Sequence, residues 1–399
     1  MKPLLLVAGV SLLLRLAAWG YLEQRVAAEP GRLHVVAGDA GGYWDLGTDI
    51  AAGREYAVHQ PPRRAMRTPG VPLIVAGSVA AFGESRTAAR GVLAAVSALA
   101  PVGVFLTAGV WFAPRVAAAA GLLAAAAPLA VGLSPTILSD GPFAASLSLV
   151  CWRLAVLLRT PSRAAAAAAG LAAGASCLIR PALLPAVPVL AAVAALAVRD
   201  RWCGVVLAAV AAGVLAPWAV RNGLVAGRFT PTTLWTGPTL YDSFRPGSDG
   251  GSDMRFFDAD ADARRGMSEA GVDRWYAARA WAAVRADPAA AAGLAVRKQA
   301  RFWALLPRAA EAGPPAFGWA CAAWSVAVWA LAAAGLVRHR RHWRLLLVAA
   351  GPLLYLAALH LVFVGSMRYR MPGELPLCVL AAAAWAATPP RAAAPPRGT

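Results

Sequence analysis

Asp39, Tyr43, Asp45, Asp49, Glu55, His59, Arg63, Arg64 and Arg67 fall within thirty residues of one another. A carboxylate in such a stretch can take a proton, and a guanidinium can hold a phosphate through its planar fork. Composition alone still favours an ordinary solvated loop of mixed charge. Asp140, in LSPTILSDGPFAASL, opens an apolar run. A carboxylate at bilayer depth costs roughly 2.5–3.5 kcal/mol at a helix centre and less near the interface. Two readings weigh evenly. Asp140 is the N-cap of the helix that follows, since Asp before Gly-Pro suits a helix start, or it belongs to a site. Arg180 in LIRPAL, Arg221-Asn222 in PWAVRNG, and Arg368 and Arg370 in SMRYRMP stand at the ends of apolar runs. Taken singly, each is an ordinary snorkelling Arg.

The elements that must position these residues are membrane helices. The 399-residue chain is 59% hydrophobic and 15% charged, with a mean hydropathy of +0.57. A soluble chain carries about 25% charge. Apolar segments are expected at about 3–22, 70–83, 88–112, 116–133, 137–158, 164–180, 182–198, 203–219, 316–337, 345–365 and 373–387. The fold class is therefore an all-α polytopic membrane protein of about 10–11 transmembrane helices. Lys2 before a Leu-rich run looks like a signal peptide, but Arg15 interrupts it and no A-x-A site follows, so the first segment is kept as a helix.

Basic residues mark one side. Arg159 and Arg163, Arg199 and Arg201, and the Arg338–Arg344 cluster fill gaps that the positive-inside rule makes cytoplasmic. Ten of the twenty acidic residues lie between Asp242 and Glu311, and six between Glu23 and Glu55. If every segment crossed, the Arg338–Arg344 gap would face outward. The fourteen residues 70–83, with Pro and Gly, are too short for a crossing of about 20 and are expected to be re-entrant or interfacial.

Two large loops then face outward, at 23–69 and 220–315. The organisation expected is a membrane module over 1–219 that includes the first outer loop, the extracytoplasmic stretch 220–315, C-terminal spans over 316–387, and a disordered cytoplasmic tail, 388–399. A short amphipathic helix is expected over 43–53. Two more are expected in the second loop, one through Arg274–Trp281 and one from Asp287 to Leu306. The latter carries Arg297, Lys298 and Arg301 on one side and should lie on lipid headgroups. Trp235, Tyr241 and Phe244 are sugar-stacking or, more simply, interface residues.

The net charge of +18 comes from 36 Arg and two Lys, yet no basic run reaches five residues. Nucleic acid is the poorest partner for it. On this topology Arg180, Arg221, Arg368 and Arg370 fall on the outer side, against the positive-inside trend. Such a cluster needs an anion, and phosphate suits it. The five Cys stand singly in apolar stretches, as buried hydrophobes without disulfide or metal.

GDAGGYWDLGTDIAAGREY followed by RTPGVPLIVAG, then SDGPFA, LIRP, PWAVRNGLVAGRFTPTT, DPAAAAGLAVRKQARFW and HLVFVGSMRYRMP, occur in an order that resembles the C-type integral-membrane glycosyltransferases. These include the protein O-mannosyltransferases and the lipid A aminoarabinose transferases. The resemblance covers roughly 30–385. It implies a helical bundle of that type in the cytoplasmic membrane of a bacterium, with its active site outside. It also implies a polyprenyl-phosphate sugar donor and a lipid, glycan or protein acceptor. Position by position, Asp39 matches the residue assigned as catalytic base, and Asp140 a second polar or acidic position. Tyr43, Arg63, Arg64, Arg67, Arg180, Arg221, Asn222, Arg368, Tyr369 and Arg370 are the candidates for holding donor and phosphate. The chain departs from the protein mannosyltransferases in lacking an Asp-Glu pair at 39–40 and a large soluble insertion, so the match gives a protein acceptor no support.

The implied chemistry is a single displacement that inverts the anomeric carbon. Arg side chains neutralise the leaving phosphate, so no cofactor is required and a divalent metal is optional. A transporter or flippase of lipid-linked sugars is the rival. It would use the same Arg cluster, but it usually shows internal repeats, and none is found.

Overall fold

The computed structural model describes residues 2–29, 31, 38–307, 314–384 and 386. The expected disordered tail lies outside them. Every regular element among the described residues is helical: α1 (Lys2–Ala28), α2 (Asp39–Ala51), α3 (Gly70–Phe82), α4 (Arg86–Ser97), α5 (Leu99–Trp111), α6 (Pro114–Ala125), α7 (Pro128–Leu133), α8 (Asp140–Arg159), α9 (Arg163–Ile179), α10 (Ala186–Val198), α11 (Arg201–Ala226), α12 (Thr236–Phe244), α13 (Arg255–Ala259), α14 (Glu269–Ala286), α15 (Pro288–Phe302), α16 (Pro315–Arg338), α17 (Trp343–Val362) and α18 (Met367–Ala383), with a single 3-10 turn at Pro181–Leu183. Among the described residues six stretches are long and apolar enough to cross a membrane: α1, α4–α5 together, α8, α11, α16 and α17. This is a multi-pass membrane protein.

Small side chains let the helices approach closely. The α9–α11 pair meets along Gly170 and Gly174, where a Cβ at Gly174 would stand 2.9 Å from the Ala211 carbonyl oxygen. Without a water-driven hydrophobic force inside lipid, such close packing supplies much of the association between helices. The five Cys are free and buried. At the centre runs α18, whose residues from Arg370 to Ala383 are all buried and which packs on α17, α16, α6 and α8.

Helix direction sorts the two ends of the bundle. Arg344, at the start of α17, donates to Leu158 O at 3.0 Å and Ala197 O at 2.6 Å in the last turns of α8 and α10. The basic gaps singled out in the sequence therefore meet at one end. The start of α8, the end of α9 and the start of α18 meet at the other. The α3–α4 hairpin begins and ends there too, because Gly70 rests on Leu178–Ile179 and Ser97 on Gly141. Trp19 Nε1 donates to Thr87 O at 3.0 Å, tying the start of α4 to the last third of α1. The 13-residue α3 thus starts, and α4 finishes, at the same end of the bundle.

Candidate active site

The site is assembled from one end each of α2, α8, α9 and α18, together with the loop that precedes α3. Gly38, at φ +83°, turns the chain into α2, a conformation open to glycine at little cost. Asp39 is thereby the first residue of that helix. Its carboxylate accepts from Arg67 Nη2 at 2.9 Å, and Arg368 Nη2 stands 3.9 Å from its other oxygen. Arg67 is held over the Tyr43 ring, 4.5 Å from its centroid. Tyr56 Oη donates to Arg67 O at 3.1 Å, which fixes the backbone of that loop.

Asp140 is 0% exposed and sits in the first turn of α8. One carboxylate oxygen accepts from Arg180 Nη2 at 3.1 Å and the other from Arg368 Nε at 2.8 Å. The N-cap reading fails. Ser139 occupies the cap position and makes no side-chain cap bond, while the Asp140 carboxylate is spent on guanidiniums. Its negative charge still suits the positive end of the α8 dipole. Tyr369 stacks on His360 at 4.9 Å and lies beside both Arg180 and Arg368.

Three guanidiniums (Arg67, Arg180, Arg368) thus surround two carboxylates, leaving one positive charge in excess. The carboxylates differ in access, since the Asp39 side chain is 47% exposed and the Asp140 side chain 0%. Burial alone would raise Asp39, but Arg67, with Arg368 and Arg180 behind it, holds it below the usual carboxylate range. The site is an ionised, reachable carboxylate backed by cations. Among the described residues no group of three or more His, Cys, Asp or Glu is placed to hold a metal ion.

Of the sequence candidates, Asp39, Tyr43, Arg67, Asp140, Arg180, Arg368 and Tyr369 come together. The others are engaged elsewhere. Arg63 lies over Phe257 and Trp235, 4.3 and 5.0 Å from their centroids, and burial lowers it to about 10. Arg64 pairs with Glu55. Arg221 donates to the carbonyls of Arg64 and Tyr56, and Asn222 to those of Thr230 and Thr232, so both brace the loop from α11. Arg370 is wholly buried, held by Glu374 and the carbonyls of Phe302 and Ala304. These five do not face the Asp39 cluster, because aromatic rings, a nearby glutamate or backbone carbonyls engage each of them elsewhere.

The aromatics of the second large stretch are likewise used in packing. Tyr241 meets Phe256 and Tyr276, and Trp235 meets Phe257. On α15 the expected basic face is incomplete. Arg297 is exposed, Arg301 pairs with Asp249 at 2.9 Å, and Lys298 turns inward to full burial.

Residues 66–220 match the family model described as dolichyl-phosphate-mannose-protein mannosyltransferase. The likeness to the C-type membrane glycosyltransferases stands. The matched stretch contains Arg67, Asp140 and Arg180. Among solved structures, ArnT from Cupriavidus metallidurans bound to undecaprenyl phosphate is 18% identical, with a TM-score of 0.46 over 95% of this chain and 77% of that one. The oligosaccharyltransferase AglB from Archaeoglobus fulgidus, in complex with an inhibitory peptide and a dolichol-phosphate, is 15% identical, with a TM-score of 0.49 over 96% and 49%. A search of curated proteins found no match.

Proposed function

We propose that this chain is a glycosyltransferase that moves a sugar from a polyprenyl-phosphate donor to an acceptor hydroxyl, at the extracytoplasmic face of a bacterial cytoplasmic membrane. The observation that carries the reading is the pairing of one reachable carboxylate with guanidiniums held by a second, buried one. Asp39 takes the proton of the acceptor hydroxyl as its oxygen attacks the anomeric carbon. The bond from that carbon to the phosphate oxygen breaks, and the polyprenyl phosphate leaves with its charge matched by Arg67, Arg180 and Arg368. Among the described residues the Arg180 side chain hydrogen-bonds through Nη2 alone, and in this reading its remaining N–H groups serve the phosphate.

Asp140 has both oxygens occupied and is buried, so it acts as a positioning residue and not as an acid, base or nucleophile. With a single accessible carboxylate, the arrangement favours one displacement and inversion. The excess cation of the cluster makes guanidiniums sufficient for the leaving group, and no cofactor is needed in this reading. A hexose or pentose donor fits it equally.

The test is transfer of radiolabel from polyprenyl-phosphate sugars by the purified chain, wild type against Asp39→Asn. The variant is expected to stay folded and membrane-inserted and to lose transfer. Full activity in Asp39→Asn removes it from the role of base. Label that crosses the bilayer unchanged would make the protein a transporter.

A further inference from the structure

Lys298 is the one lysine outside the amino terminus, and among the described residues its buried side chain makes no salt bridge. It is 0% exposed, although it lies on α15, a helix of the large outer stretch. Its ammonium donates to Val362 O at 2.7 Å and reaches Leu361 O at 3.5 Å. These are among the orphan carbonyls at the end of α17, where the helix dipole also favours a cation. The same ammonium lies 3.6 Å from the centroid of the Phe244 ring of α12, a cation–π contact.

The backbone is gripped at the same point. A Cβ on Gly365 would collide with the Lys298 carbonyl and stand 2.9 Å from its Cα, so the α17–α18 turn runs directly against α15. Gly365 N donates to Gly250 O at 2.9 Å, closing the turn from the other side. One residue later Ser366 caps α18 by accepting from Arg368 N at 3.3 Å. Phe302, one turn along α15 from Lys298, stacks on His360 at 5.5 Å, and His360 stacks on Tyr369. The segment between Val362 and Tyr369, which delivers Arg368 to both Asp39 and Asp140, is therefore seated on α15.

We infer that Lys298 is a positioning residue, which clamps the α17–α18 turn and thereby fixes Arg368 and Tyr369 in the donor-phosphate site. The inference deepens the proposed function and rests on its reading of the Asp39–Asp140 cluster. Burial lowers the ammonium to about 8, against the opposing pull of Asp242. The other charged and titratable groups around it are His360 on α17, Arg297 and Arg301 on its own helix, and Asp249, which already pairs with Arg301. The clamp is at full strength while Lys298 is charged and weakens as pH rises through about 8.

The experiment compares wild type, Lys298→Met and Lys298→Arg as purified full chains in phospholipid nanodiscs. Two quantities are read: hydrogen exchange over 363–369, and donor KM and kcat across pH 6.5–9.5 with a labelled undecaprenyl-phosphate sugar. Lys298→Met is expected to exchange faster over 363–369 while α8 and α9 keep their protection. Its donor KM should rise about tenfold, the worth of one charge-assisted hydrogen bond, with a smaller change in kcat. The wild-type KM should climb above pH 8, the Met variant should lack that climb, and the Arg variant should shift it upward. Wild-type exchange and KM in Lys298→Met overturn the clamp. So does faster exchange spread over the whole bundle, which marks a packing residue only. If the wild type transfers no sugar, local exchange over 363–369 still decides the clamp, and only its link to catalysis falls with the site reading.

Discussion

Replacing Asp140 by Asn tests whether a buried carboxylate sets the geometry of the site. Asn keeps the shape and one acceptor oxygen, but its amide NH2 then faces a guanidinium donor. Asp140 accepts from Arg180 at 3.1 Å and from Arg368 at 2.8 Å, with no exposure to screen either contact. A hydrogen bond to a charged group contributes about 1.5–3 kcal/mol, so losing one of the pair and weakening the other costs about 2–3 kcal/mol in holding the two arginines. That corresponds to roughly 30–150-fold. A misplacement of about 1 Å at a reacting centre has an effect of similar size, about 100-fold. Removing a negative charge also raises the excess charge of the cluster, which favours the donor phosphate. The two effects oppose each other, and they fall on different constants. We expect kcat to fall about 100-fold while donor KM stays level or drops, measured by label transfer in nanodiscs with the melting temperature checked in parallel. A kcat within threefold of wild type, in a folded variant, would refute the claim that Asp140 positions the guanidiniums.

Asp39 is held below the usual carboxylate range by Arg67 against the opposing effect of burial, so it remains ionised above that lowered value and loses its charge only as pH falls through it. In Arg67→Gln the burial effect is left less opposed, and the acid limb of kcat/KM should move to higher pH; a limb that does not move would remove Arg67 as the cause. Gly174→Ala would place a Cβ 2.9 Å from Ala211 O and 2.8 Å from Val214 Cβ, overpacking the α9–α11 contact. A loss of about 1–3 kcal/mol is expected, seen as a lower melting temperature in detergent, and an unchanged melt would show that the two helices separate freely.

Hydropathy and charge distribution were enough to show that this chain is a helical multi-pass membrane protein. That follows from local quantities, namely the length of an apolar run and the sign of the charges beside it. The ordered motifs also brought Asp39, Asp140, Arg67, Arg180 and Arg368 forward as candidates. What the sequence could not do was separate one arginine at a helix end from another. Arg180, Arg221, Arg368 and Arg370 look alike there, each beside an apolar run. Yet Arg180 and Arg368 reach a carboxylate 40 and 228 residues away, while Arg221 is taken up by loop carbonyls and Arg370 by Glu374 of its own helix and by carbonyls. Lys298 shows the same limit, because helical spacing placed it on a basic lipid-facing side and packing turned it inward. Which partner a buried charge finds depends on the close approach of helices distant in sequence, and only the tertiary structure decides that. A charge under lipid or protein must be satisfied by whatever lies within about 3 Å of it, and periodicity along a single helix carries no record of its neighbours.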